Sequence, residues 1–189
     1  LFCGIGGLTH GFVKEGFNVV AGIDSDESCR YAFETNNNSE FINKPIESVK
    51  PEEILRLYEN SDLKILVGSA PCQPFSSYNR KKSHDSKWNL LRYFAKLIKT
   101  TMPDIVSMEN VPQLAKHKIF QDFVNTLDFN GYAVSWSIVY CPDYGIPQTR
   151  RRLVLLASKF GEIKIIKPTH APENYKTVQD VIGDMEKIE

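Results

Sequence analysis

Cys72 stands between two prolines in the stretch SAPCQPFS, residues 69–76. Proline fixes its own φ angle and lacks an N–H donor, so neither a helix nor a central strand runs through this stretch. The apolar run before it, residues 65–67, predicts a short buried strand. We therefore expect a stiff loop that presents Cys72 at a strand's C-terminal end, where open α/β sheets bind ligands. The loop alone fits a thiol buried in a turn equally well, because free cysteine often behaves as a small hydrophobic side chain.

Other reactive or ligand-binding groups also follow predicted strands. The glycine-rich stretch LFCGIGG, residues 1–7, predicts a tight turn between a strand end and a helix. Asp24 ends the next apolar strand, 18 residues after Gly6, where a carboxylate is well placed to bind ribose hydroxyl groups. Its neighbour Asp26 is the better helix N-cap, but the two aspartates could exchange roles. Glu109 follows a further apolar strand, so these groups can share one edge of a sheet.

The elements that position these groups alternate between strand and helix. Apolar runs predict strands at 17–23, 65–68, 105–108, 132–140 and 153–157, and helical periodicity predicts helices at 8–13, 27–35, 51–58, 90–101, 120–129 and 178–185. This order predicts an α/β fold with a doubly wound, mostly parallel sheet and an antiparallel hairpin, 132–140 with 152–157, at its edge. Residues 36–40 are expected to form a polar loop, and residues 164–166 a short strand.

Charge and cysteine content narrow the function classes. The 189 residues include 23 basic and 23 acidic side chains, so total charge gives no sign of nucleic-acid binding, although basic clusters at 80–82 and 150–152 permit it locally. Four widely spaced cysteines without a CxxC pair argue against a zinc site or a disulfide framework and favour a reducing compartment. No apolar run approaches the roughly 20 residues that span a membrane.

Four motifs occur in a characteristic order: LFCGIGG at 1–7, PCQ at 71–73, ENV at 109–111 and QTRRR at 148–152. Together they resemble the catalytic domain of DNA (cytosine-5) methyltransferases of the bacterial restriction–modification type, and the resemblance covers nearly the whole chain. It implies the Rossmann-like fold of methyltransferases that depend on S-adenosylmethionine (AdoMet). It also implies methyl transfer from AdoMet to C5 of cytosine, with double-stranded DNA as the partner and no metal.

The resemblance assigns roles to individual residues. Cys72 would add to C6 of a flipped-out cytosine, which makes C5 nucleophilic enough to accept a methyl group. Glu109 would hold N3 and the exocyclic amine, while Arg150 and Arg152 would hold the O2 edge, the nucleophile loop or phosphate. Cofactor contacts are implied for Phe2, Gly4, Gly6, Gly7, Asp24, Ile46, Pro71 and Leu90, and DNA contacts for Gln73, Ser76, Arg80 and Gln148.

The chain does not begin with methionine, and its first residues look like the end of a strand. We expect residues 1–157 to be an AdoMet-binding catalytic domain and 158–189 to be a connector toward a target-recognition domain. We expect the 189 residues alone to be inactive, and the full-length protein to be a monomer in the bacterial cytosol without membrane association. Two alternatives stay open: a truncated, non-catalytic fragment that binds nucleic acid or a partner chain, and cytosine-5 methylation of RNA.

Overall fold

Strands and amphipathic helices alternate along the computed structural model, which describes residues 1–71 and 88–185, except for the side chain of Trp88. The helices are α1 (Gly7–Lys14), α2 (Arg30–Asn37), α3 (Pro51–Leu57), α4 (Trp88–Thr101), α5 (Lys118–Phe129) and α6 (Val178–Ile182). The strands are β1 (Ala21–Asp24), β2 (Glu40–Asn43), β3 (Ile65–Gly68), β4 (Ile105–Asn110), β5 (Ala133–Tyr140) and β6 (Arg151–Ser158). This alternation confirms the α/β fold. No helix within the described residues is long and apolar enough to cross a membrane.

The strands pair in two hydrogen-bonded groups that the first three residues join. β1 pairs with β2 in parallel, and the second group has the order β3–β4–β6–β5. β3 and β4 are parallel, whereas β6 is antiparallel to both β4 and β5, which confirms the predicted edge hairpin. The Leu1 nitrogen donates to the Val67 carbonyl at 2.7 Å, and the Cys3 amide donates to the Ile23 carbonyl at 3.2 Å. The ends of β1 and β3 therefore lie at the same edge as the glycine-rich turn.

The core lies between this sheet and the helices that cover it. Phe94 of α4 and Phe123 of α5 are buried with ring centroids 5.4 Å apart. The Phe94 ring also lies against the end of β3, where a Cβ on Gly68 would approach it to 2.6 Å. A side chain larger than hydrogen at position 68 would push α4 away from the strand that leads to the predicted nucleophile loop.

Several element boundaries differ from the sequence-based prediction. β1 begins only at Ala21, because Phe17 packs edge-on against Phe12 and belongs to the turn after α1. The polar loop predicted at 36–40 ends where β2 begins, at Glu40. Phe41 is the single buried side chain of this four-residue strand, so the sequence shows no alternating pattern there. β4 continues through Glu109 and Asn110. The strand predicted at 164–166 is wrong: these residues have no strand structure, and Ile166 is 68% exposed.

Candidate active site

A cleft of about 140 Å³ opens where β3 and β4 end and β6 begins. It is lined by Ser69, Ala70, Pro71, Glu109, Asn110, Val111, Arg150 and Arg152. Parts of three sequence motifs, separated by up to 81 positions between Pro71 and Arg152, therefore meet on one surface. Cys72, Gln73, Ser76 and Arg80 lie outside the described residues, and Cys72 follows the cleft residue Pro71 directly in the sequence.

Glu109 and two arginines form the charged wall of the cleft. Arg152 Nε lies 2.5 Å from Glu109 Oε1, and an Nη2 atom of Arg150 lies 3.9 Å from the same oxygen. The sheet register produces this contact, because Glu109 pairs with Val154 and Arg152 lies two residues earlier on the same face of β6. The Glu109 side chain is 30% exposed, so the group is held by the protein and is still open to a ligand.

This wall has the hydrogen-bonding pattern that a flat heterocycle requires. A carboxylate oxygen accepts from ring or exocyclic N–H groups, and a guanidinium donates to carbonyl oxygens in a planar fork. Charge-assisted bonds of this type are stronger than neutral ones and fix orientation. The structure thus brings together Pro71, Glu109, Arg150 and Arg152, the described members of the predicted catalytic and nucleophile-loop set.

Asn110 is a member of the site that the sequence reasoning did not assign. Its side chain is 3% exposed, and its Nδ2 donates to the Ala70 carbonyl oxygen at 2.9 Å. Its Oδ1 accepts from the Val111 amide at 2.9 Å. The end of β4 is therefore tied to the residues that lead into Cys72. The sequence feature that could indicate a role for Asn110 is its place beside Glu109 in the ENV motif.

Gln148 lies on the exposed loop before β6, and it is not among the residues that line the cleft. Its amide donates to the Ile146 carbonyl at 2.8 Å, and its own carbonyl accepts from the Arg150 amide at 2.7 Å. These bonds fix the backbone of Gln148 two residues before Arg150. Gln148 is exposed there and is accessible to a large partner.

A second candidate site surrounds the glycine-rich turn at the end of β1. Phe2 and two of the glycines have left-handed backbone angles, with φ of 56° at Phe2, 49° at Gly4 and 89° at Gly6. A Cβ at Gly6 would lie 2.3 Å from Asn37 Nδ2, whereas nothing lies within 4 Å of a Cβ built at Gly4. Gly6 is required by its packing on α2, and Gly4 leaves open space beside the turn.

Asp24 joins this turn to β1. Its Oδ2 accepts from the Gly4 amide at 2.8 Å and its Oδ1 from the Asp26 amide at 3.0 Å. Asp26 instead caps the following helical turn by accepting from the Ser28 amide at 3.0 Å. The structure therefore separates the two aspartates, with Asp24 facing the glycine turn and Asp26 in the N-cap position.

The remaining predicted cofactor residues lie on three different elements. Gly7 begins α1 directly after the turn. Ile46 is 6% exposed in the short helical turn after β2, which stays near Asp24 through the bond from the Lys44 amide to the Asp24 carbonyl at 2.8 Å. Leu90 is half-buried near the start of α4, packed against the core. The turn, Asp24 and the Ile46 segment are thus joined by direct contacts.

The three described cysteines are poorly suited to nucleophilic attack. Burial raises the pKa of the Cys3 thiol to about 12, and burial also raises the pKa of Cys29. Cys141 is buried. Since the thiolate is the reactive form of cysteine, Cys3 and Cys29 stay protonated near neutral pH and Cys141 is shielded from a large substrate.

A sequence model of the C-5 cytosine-specific DNA methylase family matches residues 1–189. The chain belongs to the C-5 cytosine-specific DNA methylase family. The match spans both candidate sites, the glycine-rich turn and the cleft at Glu109. All four motifs that suggested this class of enzyme from the sequence lie within the matched region.

Curated relatives of the chain agree with that assignment. The chain is 56% identical over 188 residues to Type II methylase M.HgiDII of Herpetosiphon aurantiacus, covering 98% of the chain and 53% of the relative. It is 32% identical over 197 residues to Type II methyltransferase M.XorII of Xanthomonas oryzae, covering 100% of the chain and 46% of the relative. The chain thus spans about half the length of these relatives.

Solved structures support the fold. A prophage-encoded E. coli protein, described as a candidate DNA modification methyltransferase, superposes with a TM-score of 0.82 at 24% identity, covering 99% of this chain and 54% of that one. DNMT2 of Spodoptera frugiperda superposes with a TM-score of 0.71 at 20% identity, covering 93% and 55%. At these identities the likeness concerns the α/β methyltransferase fold.

Proposed function

We propose that this C-5 cytosine-specific DNA methylase, in its full-length form, transfers a methyl group from AdoMet to C5 of cytosine in double-stranded DNA. Cys72 first bonds to C6 of a flipped-out base, and the methyl group then moves to C5, with S-adenosylhomocysteine as the other product. Loss of the C5 proton to water finally breaks the bond between Cys72 and C6 and regenerates the thiol. The observation that carries this proposal is the cleft in which Glu109, Arg150 and Arg152 lie beside Pro71, the residue directly before Cys72. The properties of the other three cysteines support Cys72 as the nucleophile.

The charged wall supplies what the covalent step needs. When a thiolate adds to C6, electron density moves toward N3 and O2 of the cytosine ring, so donors at these atoms stabilise the transition state. Glu109, as a carboxylic acid, donates to N3 and accepts from the exocyclic amine, and its position depends on the 2.5 Å contact with Arg152. Arg150, 43% exposed and 3.9 Å from Glu109, extends the donor surface toward O2 or a flanking phosphate. The base must leave the duplex to reach this cleft.

AdoMet supplies a methyl group on a positively charged sulfur. The glycine turn fits such a ligand, because the backbone at Gly4 borders open space and Asp24 is held beside it. We assign Asp24 to the ribose hydroxyls, and Phe2, Gly4, Gly6 and Gly7 to the methionine part. Ile46 offers the adenine only the small exposed part of a mostly buried side chain. We also assign Pro71, which lines the cleft, and the half-buried Leu90 to cofactor contacts.

We assign DNA contacts to Gln73, Ser76 and Arg80 after the nucleophile and to Gln148, whose exposure suits a backbone or base contact. We also propose that residues 1–157 form the catalytic domain and that the full-length protein acts as a monomer in the bacterial cytosol. The relatives named above, which are called Type II methylases and methyltransferases, support a role in DNA modification.

The experiment that tests this function offers the full-length protein two substrates. Duplex DNA and RNA of matched cytosine content are incubated separately with AdoMet carrying a labelled methyl group, and the product nucleosides are identified by mass spectrometry. We expect label in 5-methylcytosine of DNA and none in RNA. Label in RNA alone would favour the RNA alternative, and nucleic-acid binding without label in either would favour the non-catalytic one.

A further inference from the structure

Residues 169–175, part of the segment that the sequence predicts to be a connector, hold the turn between β5 and β6. Asp143 lies in the short helical turn Cys141–Tyr144 of this connection. Its carbonyl oxygen accepts from the amides of Thr169 and His170 at 2.8 and 3.0 Å. Its Oδ1 accepts from the Tyr175 hydroxyl at 2.5 Å. The Thr169 hydroxyl also donates to the Asp143 carbonyl at 3.4 Å. Four donors from the 169–175 segment therefore hold one residue of the turn through its backbone and its side chain.

The same segment also packs closely on both sides of Asp143. Gly145 has a φ of 78°, and a Cβ there would lie 2.8 Å from Cε1 of the His170 ring. The Tyr175 ring lies edge-on to Tyr140, with centroids 6.1 Å apart. The pKa of Tyr175 is raised to about 12, chiefly by its hydrogen bond to Asp143. The hydroxyl therefore remains a donor over the pH range in which methyltransferases are assayed.

The held turn determines where Arg150 lies. The Cys141 amide donates to the Arg150 carbonyl at 2.8 Å, and the Cys141 carbonyl accepts from the Ile146 amide at 3.3 Å. Arg152 is part of β6 and pairs with Val139 in the sheet, so the strand ladder fixes it. Arg150 directly precedes β6, beyond the last pair of the ladder, and its carbonyl is bound by Cys141, the first residue of the turn.

We propose that the 169–175 segment positions Arg150 to bind the cytosine during the attack by Cys72, with Tyr175 as the principal positioning residue. This inference rests on the proposed function, since it concerns an arginine of the same cleft. A segment expected only to connect domains then contributes to the precision of the active site. Arg150 is 3.9 Å from Glu109, so a shift of a fraction of an ångström alters its reach to the base.

The test uses the full-length protein and the substitution Tyr175→Phe, which removes the hydroxyl and keeps the ring beside Tyr140. The rate of covalent adduct formation with 5-fluorocytosine DNA is measured in single turnovers, together with AdoMet affinity. We expect adduct formation to slow about 3- to 10-fold, as for loss of one strong hydrogen bond, with AdoMet affinity unchanged within about twofold. Tyr31→Phe, at a tyrosine of α2 that is 80% exposed, is the matched control and should leave both unchanged.

A double-mutant cycle separates positioning from general stability. In an Arg150→Ala background, Tyr175→Phe should cause little further slowing, because the arginine that it positions is gone. Equal slowing in both backgrounds, or none in the wild type, would overturn the inference. Asp143→Ala removes the acceptor of the same hydrogen bond and gives a second test if Tyr175→Phe lowers the melting temperature. If Cys72→Ser still forms the adduct, the proposed function fails instead, whatever Tyr175→Phe does.

Discussion

The Asn110 side chain lies 2.9 Å from the carbonyl oxygen of Ala70 and donates a hydrogen bond to it across the floor of the cleft. These residues are 40 positions apart in the sequence. One ends the strand that carries Glu109, and the other lies two residues before Cys72 in the sequence. The bond thus sets the spacing between the end of β4 and Ala70, just before the proposed nucleophile.

We predict that Asn110→Ala destabilises the protein by about 1–3 kcal/mol, because it leaves the Ala70 carbonyl oxygen without its buried donor. Urea unfolding measures this loss. Adduct formation should slow as well, while AdoMet affinity stays the same, because the substitution lies outside the glycine turn. Unchanged stability together with an unchanged rate would show that the loop is held by other contacts.

Glu109→Gln should preserve the fold and slow methyl transfer by roughly 10²-fold or more. Glutamine keeps the shape of the side chain but removes the charge that pairs with Arg152 and the carboxyl that binds at N3. Steady-state rates with duplex DNA measure the effect. Glu59→Gln, at an exposed glutamate after α3, is the matched control and should retain the wild-type rate. If the methylation rate of Glu109→Gln is within about threefold of the wild-type rate, Glu109 is not a catalytic residue.

Two glycines near the N-terminus should respond to alanine in opposite directions. Gly6→Ala places a methyl group 2.3 Å from Asn37 Nδ2 at a φ of 89°, so it should lower the urea midpoint and weaken AdoMet binding. Gly11→Ala lies on the exposed surface of α1 with nothing within 4 Å, and should stabilise the protein by about 0.5–1 kcal/mol. Equal responses at both positions would contradict the packing described for the turn.

Stability should fall as the pH rises above the ordinary thiol pKa of about 9. Burial raises the pKa of both Cys3 and Tyr132 to about 12 in the folded protein, so the unfolded chain loses these protons first. The stability that Cys3 and Tyr132 contribute is complete below the pKa values that they have in the unfolded chain, and it disappears by about pH 12. Urea midpoints between pH 8 and 11 should therefore decline, and the decline should be less steep in Cys3→Ala. An equal slope in that variant would mean that Cys3 titrates normally.

The parts of this molecule that the sequence predicts correctly have strong local signals. The strand Ile65–Gly68 is a short apolar run with a polar helix before it and prolines after it, and its predicted limits match the structure. The meeting of Pro71 and Glu109 could also be expected, because the C-terminal ends of parallel strands share an edge. Arg152 joins them because β6 runs antiparallel to β4 and begins at that edge. The antiparallel pairing of β5 and β6 follows from their apolar patterns and the turn residues between them.

Other features depend on contacts that no local pattern encodes. β2 has a single buried residue, Phe41, which is too little for a periodicity. An asparagine after a strand is as typical of a turn as of the buried bond that Asn110 forms. The hydrogen bond between Tyr175 and Asp143 joins residues 32 positions apart. The sequence alone therefore indicates only a connector at 169–175, because the contact with the turn depends on the folded structure.

The central claim is that Cys72 forms a covalent bond with the target cytosine. The most direct measurement is trapping of the full-length protein on 5-fluorocytosine duplex DNA in the presence of AdoMet, followed by mass spectrometry of the adduct. Fluorine at C5 blocks the final proton loss, so the thiol should remain attached. We predict a stable adduct at Cys72 that Cys72→Ser abolishes, while Cys29→Ser leaves it intact. An adduct that survives in Cys72→Ser, or one located at another cysteine, would contradict this account.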